Sequence, residues 1–316
     1  MNRLTVTFNS YGTRCEAWFY PGPEDSRFDG PTGRPVVVMA HGFAGTKDSG
    51  LEPFALRLAD AGFAVFAFDY RGFGASEGQV RQRISMADQA DDYRAAIAAV
   101  GARPGIDRNR IVLWGLSQSG GHVLVVAAGR SDVCAVVSMV PMVSGIAAGR
   151  HNFATVGAKG MLRSTAVGLG SAMAAKVGAR RRMLPVVGEP GENAALTAPG
   201  YLEAYESIAG PTWRNEVDAA VGLELGSFNA DKHADDIDAP VLVQIADFDR
   251  AAPPYAASKT AFKARAQVRH YPCDHFDVFE GRGWFEPAVA HQLSFLTAQL
   301  SSVEAGADCN LSGEAR

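Results

Sequence analysis

The run Ile111-Val112-Leu113-Trp114-Gly115-Leu116-Ser117-Gln118-Ser119-Gly120-Gly121 passes from four apolar residues to a cluster of small ones. An unbroken β-branched and aromatic run closed by glycine reads as a strand buried on both faces. Residues 116–121 read as a sharp turn into a helix. A nucleophile carried on such a turn needs small residues two places before and two after it, because the strained backbone brings its neighbours into contact. Gly115 and Ser119 fill those places around Ser117, with Ser119 standing where a second glycine is usual. Ser119 lies between Ser117 and Gly121 at the same spacing, so it too is permitted. The end of the apolar run at Trp114 puts the tip of the turn at Ser117.

Similar runs flank this one: Val36–Met39, Ala64–Phe68, Ala135–Val140, Val241–Ile245 and a weaker Val268–Tyr271. Ahead of them, Leu4, Val6 and Phe8 alternate, as do Cys15, Ala17 and Phe19, across a turn at Ser10–Thr13. That pattern predicts an antiparallel hairpin. Helical spacing lies between the runs, with a capping signal at Ser85 ahead of Tyr93, Ile97 and Val100, and with Val289, Leu293, Leu296 and Leu300 near the end. Strands alternating with helices predict a doubly wound α/β sheet. Between Val140 and Val241 stand 100 residues, 141–240, where a crossover needs only a dozen or so. The expected division is therefore a core over 1–143, a helical cap insertion over 144–236, the rest of the core over 237–300 and a loose tail over 301–316.

A serine hydroxyl needs a base, and the base needs an orienting acid. Of seven histidines, His275 stands in Pro272-Cys273-Asp274-His275, just past the last expected strand, where its ring can reach over the sheet edge. His270 and His291 lie within a strand and a helix, His151 and His233 in the insertion, and His122 behind the turn. The acid should leave the strand Val241–Ile245. Asp249, deeper in the turn ahead of Pro253-Pro254, is preferred over Asp247, which is expected to stabilise the loop. An oxyanion cradle needs two backbone N–H groups. The amides of Gln118, at the helix start, and of Phe43, in His41-Gly42-Phe43-Ala44-Gly45 after Val36–Ala40, are the candidates.

These residues carry a family resemblance that spans nearly the whole chain. The segments His41–Asp48, Asp69-Tyr70-Arg71-Gly72-Phe73-Gly74, the turn at Ser117 and His275-Phe276-Asp277-Val278-Phe279 resemble the α/β-hydrolase superfamily. The nearest groups in feel are the bacterial X-Pro dipeptidyl-peptidase-like and acetyl-xylan-esterase-like hydrolases. The order Ser117…Asp249…His275 matches that family. The resemblance implies the α/β-hydrolase fold and a cofactor-free serine hydrolase acting on an ester, thioester or amide through an acyl-enzyme. An acyltransferase using the same residues, or a non-catalytic receptor of this fold, are the rival readings.

Composition excludes other classes. A formal charge of −4 argues against a nucleic-acid binder. Gly72–Glu77 lacks the last glycine of a dinucleotide fingerprint, and Gly42–Lys47 lacks the glycine a phosphate loop needs before its lysine. The four cysteines, Cys15, Cys134, Cys273 and Cys309, form no CxxC pair, so no metal site is expected. With neither a signal-peptide core nor a membrane-spanning run, a cytoplasmic protein with a small-molecule acyl substrate and no membrane or nucleic-acid partner is expected. Its oligomeric state is open, a homodimer being one choice. In the insertion, Met161, Leu169 and Met173 are the candidate pocket residues. An apolar wall there would favour uncharged acyl groups of short to medium length, with an optimum. Arg180-Arg181-Arg182 reads as an anion grip or as a solvated helix end.

Overall fold

The computed structural model describes the backbone of residues 2–311, and their side chains except those of 154–156 and 302–311. Strands β1 (Leu4–Ser10) and β2 (Thr13–Tyr20) pair antiparallel, with Ser10 opposite Thr13. Tyr11 and Gly12 join them with φ of 48° and 86°. Positive φ at both central residues marks the turn whose twist suits a two-residue hairpin. Next come β3 (Arg34–Ala40), β4 (Ala64–Phe68), β5 (Ile106–Leu116) and β6 (Val133–Met139). β7 (Met183–Leu184) and β8 (Val217–Asp218) form a separate small antiparallel pair, and β9 (Val241–Ala246) and β10 (Gln267–Tyr271) complete the main sheet.

The sheet runs β1-β2-β4-β3-β5-β6-β9-β10, antiparallel at β1, β2 and β4 and parallel from β4 onward. Every residue of β3, β4 and β9 is buried, which is why these runs are continuously apolar rather than alternating. At the rim, β10 exposes Arg269 and His270, charged and polar groups that blunt an open edge.

The helices are α1 (Glu52–Asp60), α2 (Met86–Gly101), α3 (Gln118–Ala127), α4 (Gly145–Lys176), α5 (Tyr201–Ile208), α6 (Val221–Ser227), α7 (Pro254–Lys263) and α8 (Phe285–Leu311). Ser85 caps α2 by accepting the Asp88 amide at 3.3 Å, and Tyr93, Ile97 and Val100 face the core. α2 packs on α3, and α1 on α8. Residues 301–311, expected as loose tail, have helical backbone as the continuation of α8; 312–316 lie outside the described residues. The segment between β6 and β9 holds α4, α5 and α6 together with the β7–β8 pair, so it is not purely helical. Among the described residues Cys15, Cys134 and Cys273 are unbridged thiols, and no helix is long and apolar enough to cross a membrane.

β3 and β5 are neighbours whose connections leave in opposite directions, β3 to β4 and β5 to β6, which opens a crevice at their ends. Ala40 pairs with Gly115, which starts the His41 loop and the Ser117 turn side by side. The far end of the His41 loop is tied down by Lys47. Its ammonium lies 2.7 Å from Asp69 and 2.9 Å from Glu16, and the Asp69 carboxylate also accepts the amides of Lys47 and Ala75. Burial works against the Lys47 charge, but Asp69 and Glu16 more than offset it. Lys47→Met should therefore strand a buried carboxylate and lower stability by about 3–5 kcal/mol. In urea, the midpoint should fall with an unchanged slope; an unmoved midpoint would mean that water already reaches Asp69.

Candidate active site

At Ser117 the chain turns from β5 into α3 with φ 60° and ψ −117°, a conformation that a residue with a Cβ adopts only under strain. Neighbouring contacts hold it there. The Ser117 amide donates to the Met139 carbonyl at 2.8 Å, and the Ser117 carbonyl accepts from Met142 at 2.9 Å and Gly121 at 3.3 Å. A Cβ on Gly115 would fall onto the Ser119 carbonyl, and one on Gly42 would lie 3.0 Å from the Ser117 Cβ. Glycine at 42 thus serves close approach to Ser117; its φ is not in the left-handed region. The two serines differ in what they do. Ser119 is wholly buried, with its hydroxyl 2.7 Å from the Ala40 carbonyl while accepting the Leu116 amide. Ser117 faces a cavity.

His275 opens a short 3-10 turn, His275–Val278, capped by Asp274. Its Nδ1 lies 2.6 Å from Asp249 Oδ2. A carboxylate only accepts, so the proton between them sits on Nδ1 and Nε2 keeps its lone pair. The other oxygen of Asp249 accepts the amides of Ala251 and Ala252, each at 2.7 Å, which fixes the carboxylate in the turn after β9. Asp247 points elsewhere, 2.6 Å from His270 Nδ1 on the exposed rim. Burial works against a charged His275 ring, yet Asp249, through charge and hydrogen bond, and Asp274 carry its pKa above the usual 6.5. Asp274 itself accepts from Tyr201 Oη at 2.8 Å and pairs with Arg250. His122, wedged between Tyr70 and Phe228, has its pKa pushed down to about 3 by burial and stays neutral.

Phe43 and Gln118 both line the cavity. Gln118 begins α3, where a first-turn amide has no partner inside the helix. The orientation of the Phe43 amide is set by its neighbours. The Gly42 carbonyl is held by His41 Nδ1 at 3.0 Å and by the Gly45 amide at 3.2 Å. A planar trans peptide then turns the Phe43 N–H to the opposite side. Burial pushes the His41 pKa down, so the ring is neutral and donates from Nδ1 to the Gly42 carbonyl. From the insertion, Tyr205 Oη donates to the Phe43 carbonyl at 2.6 Å and Trp213 Nε1 to the Ala44 carbonyl at 3.2 Å. Sequence reasoning missed His41, Tyr205, Trp213 and Tyr201 in these roles. The i, i+4 pair Tyr201 and Tyr205 was the one available signal, an aromatic face on α5.

The cavity has a volume of about 270 Å³ and contains Ser117, His275, Phe43 and Gln118. Its walls are mostly apolar, among them Leu116, Met142, Met161, Leu184, Leu196, Phe276 and Phe279. Met161 lies there as expected. Leu169 and Met173 do not: they face solvent at 50% and 68% exposure. The reason is the facing of α4, which breaks at Gly157 with φ 67° and ψ −179°. Past that kink Met161, Ser164, Thr165 and Gly168 share the inward face, while Leu162, Leu169 and Met173 share the outward one. None of the three arginines lines the cavity; Arg181 pairs with Asp218 of β8 at 2.6 Å, and the same carboxylate accepts from Ser171 of α4.

The family described as serine aminopeptidase, S33, matches residues 31–275. The quorum-quenching protein AidA of Acinetobacter baumannii is 33% identical over 302 residues, covering 93% of this chain and 94% of its own. The polyketide transferase af380 of Aspergillus fumigatus is 31% identical over 143 residues, 45% of this chain and 46% of its own. The α/β hydrolase GrgF from Penicillium sp. sh18 has the same fold, with a TM-score of 0.79 at 22% identity over 95% of this chain and 100% of its own.

Proposed function

Because the chain belongs to the serine aminopeptidase S33 family of α/β hydrolases, we propose that it is a serine hydrolase acting on an uncharged carboxylic ester or thioester. The observation that carries the reading is the strained Ser117 facing the same apolar cavity as the buried His275–Asp249 pair. His275 Nε2 takes the Ser117 proton as Oγ attacks the substrate carbonyl, and the Phe43 and Gln118 amides receive the oxyanion. Collapse of the tetrahedral intermediate breaks the bond to the leaving group, which takes the proton from His275. Water, deprotonated by the same ring, then releases the acid and frees Ser117. An aminopeptidase must also bind a substrate ammonium, and among the described residues no carboxylate lines the cavity. That favours acyl substrates over peptides, and the one charged side chain on the wall among the described residues besides His275, Arg250, is already paired with Asp274.

Acyl transfer to another nucleophile is the second reading, favoured by the similarity to a polyketide transferase. Labelling with a fluorophosphonate, followed by turnover of p-nitrophenyl esters and acyl thioesters with and without competing alcohols and amines, tests both. Free acid as the product at all acceptor concentrations supports hydrolysis; acylated acceptor in its place supports transfer. No adduct on Ser117 would overturn both.

The raised His275 pKa sets the pH dependence. The ring must be neutral to accept the Ser117 proton, so kcat/KM should rise with pH through a midpoint above 6.5. Asp274→Asn removes a negative charge and leaves the Arg250 cation unpaired, and both changes disfavour the protonated ring. The acid limb should move to lower pH, read from kcat/KM across pH. A limb that stays in place would mean that the Asp274 charge does not reach the ring.

A further inference from the structure

The cavity at Ser117 shares part of its wall with a second one. Gly145, Gly149, Met161 and Gly222 line both this cavity and a groove on the outer surface, whose other walls are Ile146, Arg150, Phe153 and Gly226. The partition between inside and outside is therefore one flexible methionine and three residues without side chains.

The glycines have different reasons to be there. A Cβ on Gly145 would strike the Leu225 carbonyl, so glycine is needed where α4 meets α6. A Cβ on Gly149 or Gly222 would meet nothing within 4 Å, and neither residue has a positive φ. Both lie in helices, α4 and α6, where glycine is the poorest residue except proline. Neither packing nor backbone conformation calls for glycine at these two places. What its presence leaves is free space in the wall that the cavity and the groove share. Apart from Arg150 the rim continues in apolar character, with Ile146 and Phe153 at 59% and 49% exposure.

We propose that this line is the acyl path: the substrate carbonyl sits at Ser117, and its chain runs past Met161, Gly149 and Gly222 and emerges between α4 and α6 beside Ile146 and Phe153. The inference rests on the serine-hydrolase reading and assigns it a substrate class, esters or thioesters of long, unbranched, uncharged acyl chains. A closed cavity of about 270 Å³, below the usual range of roughly 300–1,000 Å³, would reject such chains; an open-ended one sets no upper length. This replaces the expectation of an optimum at short to medium length. Gly149 and Gly222 become specificity residues because they lack side chains.

The test is the chain-length profile of p-nitrophenyl esters from acetyl to dodecanoyl, for the wild type and for Gly149→Leu, Gly222→Leu and Gly149→Ala. In the wild type, kcat/KM should climb about fourfold for each methylene buried and then level off without falling. Each leucine variant should lower the ratio of dodecanoyl to acetyl turnover by about fifteenfold, the worth of two buried methylenes. Gly149→Ala should lie between. Variants on two different helices guard against one misfolding, and fluorophosphonate labelling of Ser117 reports an intact site in each. A wild-type profile that peaks and collapses at short chains overturns the proposal, as does a ratio unmoved in both labelled leucine variants. Absence of Ser117 labelling in the wild type overturns the hydrolase reading itself, and the acyl path with it.

Discussion

Ser117→Ala is expected to lower kcat by about 10⁴ or more while leaving the fold intact. The backbone at Ser117 stays at φ 60° through contacts that involve its amide, its carbonyl and the approach of Gly42, none of which uses Oγ. Alanine keeps the Cβ and therefore the strain, so the thermal midpoint should match that of the wild type. Only the attacking oxygen is lost. Ser119 cannot take its place, because its hydroxyl is engaged with the Ala40 carbonyl and the Leu116 amide in a fully buried site. Single-turnover kinetics with a p-nitrophenyl ester should show no burst, and peptide mass spectrometry after fluorophosphonate treatment of the wild type should show the adduct on Ser117. A surviving burst in the variant, or an adduct on Ser119, would overturn the assignment.

Asp249→Asn should have a comparable effect for a different reason. An amide offered to His275 Nδ1 can donate, which favours the tautomer with the proton on Nε2, where Ser117 needs a lone pair. A fall in kcat of about 10⁴ is expected from the wrong tautomer alone. Asp247→Asn is the matched control, since it removes a carboxylate two residues away whose partner is the exposed His270. An exposed pair of that kind contributes little, so activity should remain within about twofold. Equal losses from the two variants would mean that the orienting acid is not Asp249.

The legible parts of this molecule are those whose cause lies within a few residues of sequence. The hairpin at Tyr11-Gly12 and the buried strands are local patterns, and so is the turn at Ser117, although β5 runs two residues past Trp114 before turning. The choice of Asp249 over Asp247 also rested on local turn chemistry, and the carboxylate that faces His275 is Asp249. The insertion was opaque because its facing is set at a distance. A stripe of Leu162, Leu169 and Met173 on a helix looks like a core face, yet past the break at Gly157 it faces outward, while Ser164, Thr165 and Gly168 line the cavity. The contacts of Tyr205 with Phe43 and of Trp213 with Ala44 join residues more than 160 positions apart, and no periodicity signals such a pair.

Those two contacts bear on how exchangeable the parts of such an enzyme are. The insertion between β6 and β9 invites treatment as a cassette, to be swapped between relatives for a change of substrate. Here its α5 and the following loop also grip the strand-end loop that presents the Phe43 amide, and Thr212 and Gly210 reach the same loop through Asp48 and Ser49. A foreign insertion would bring its own pocket but leave the Phe43 and Ala44 carbonyls without their donors. On the proposed reading, specificity and rate are thus written in one segment. A graft that respects this must carry Tyr205 and Trp213 along, treating them as part of the core although they lie in the cassette.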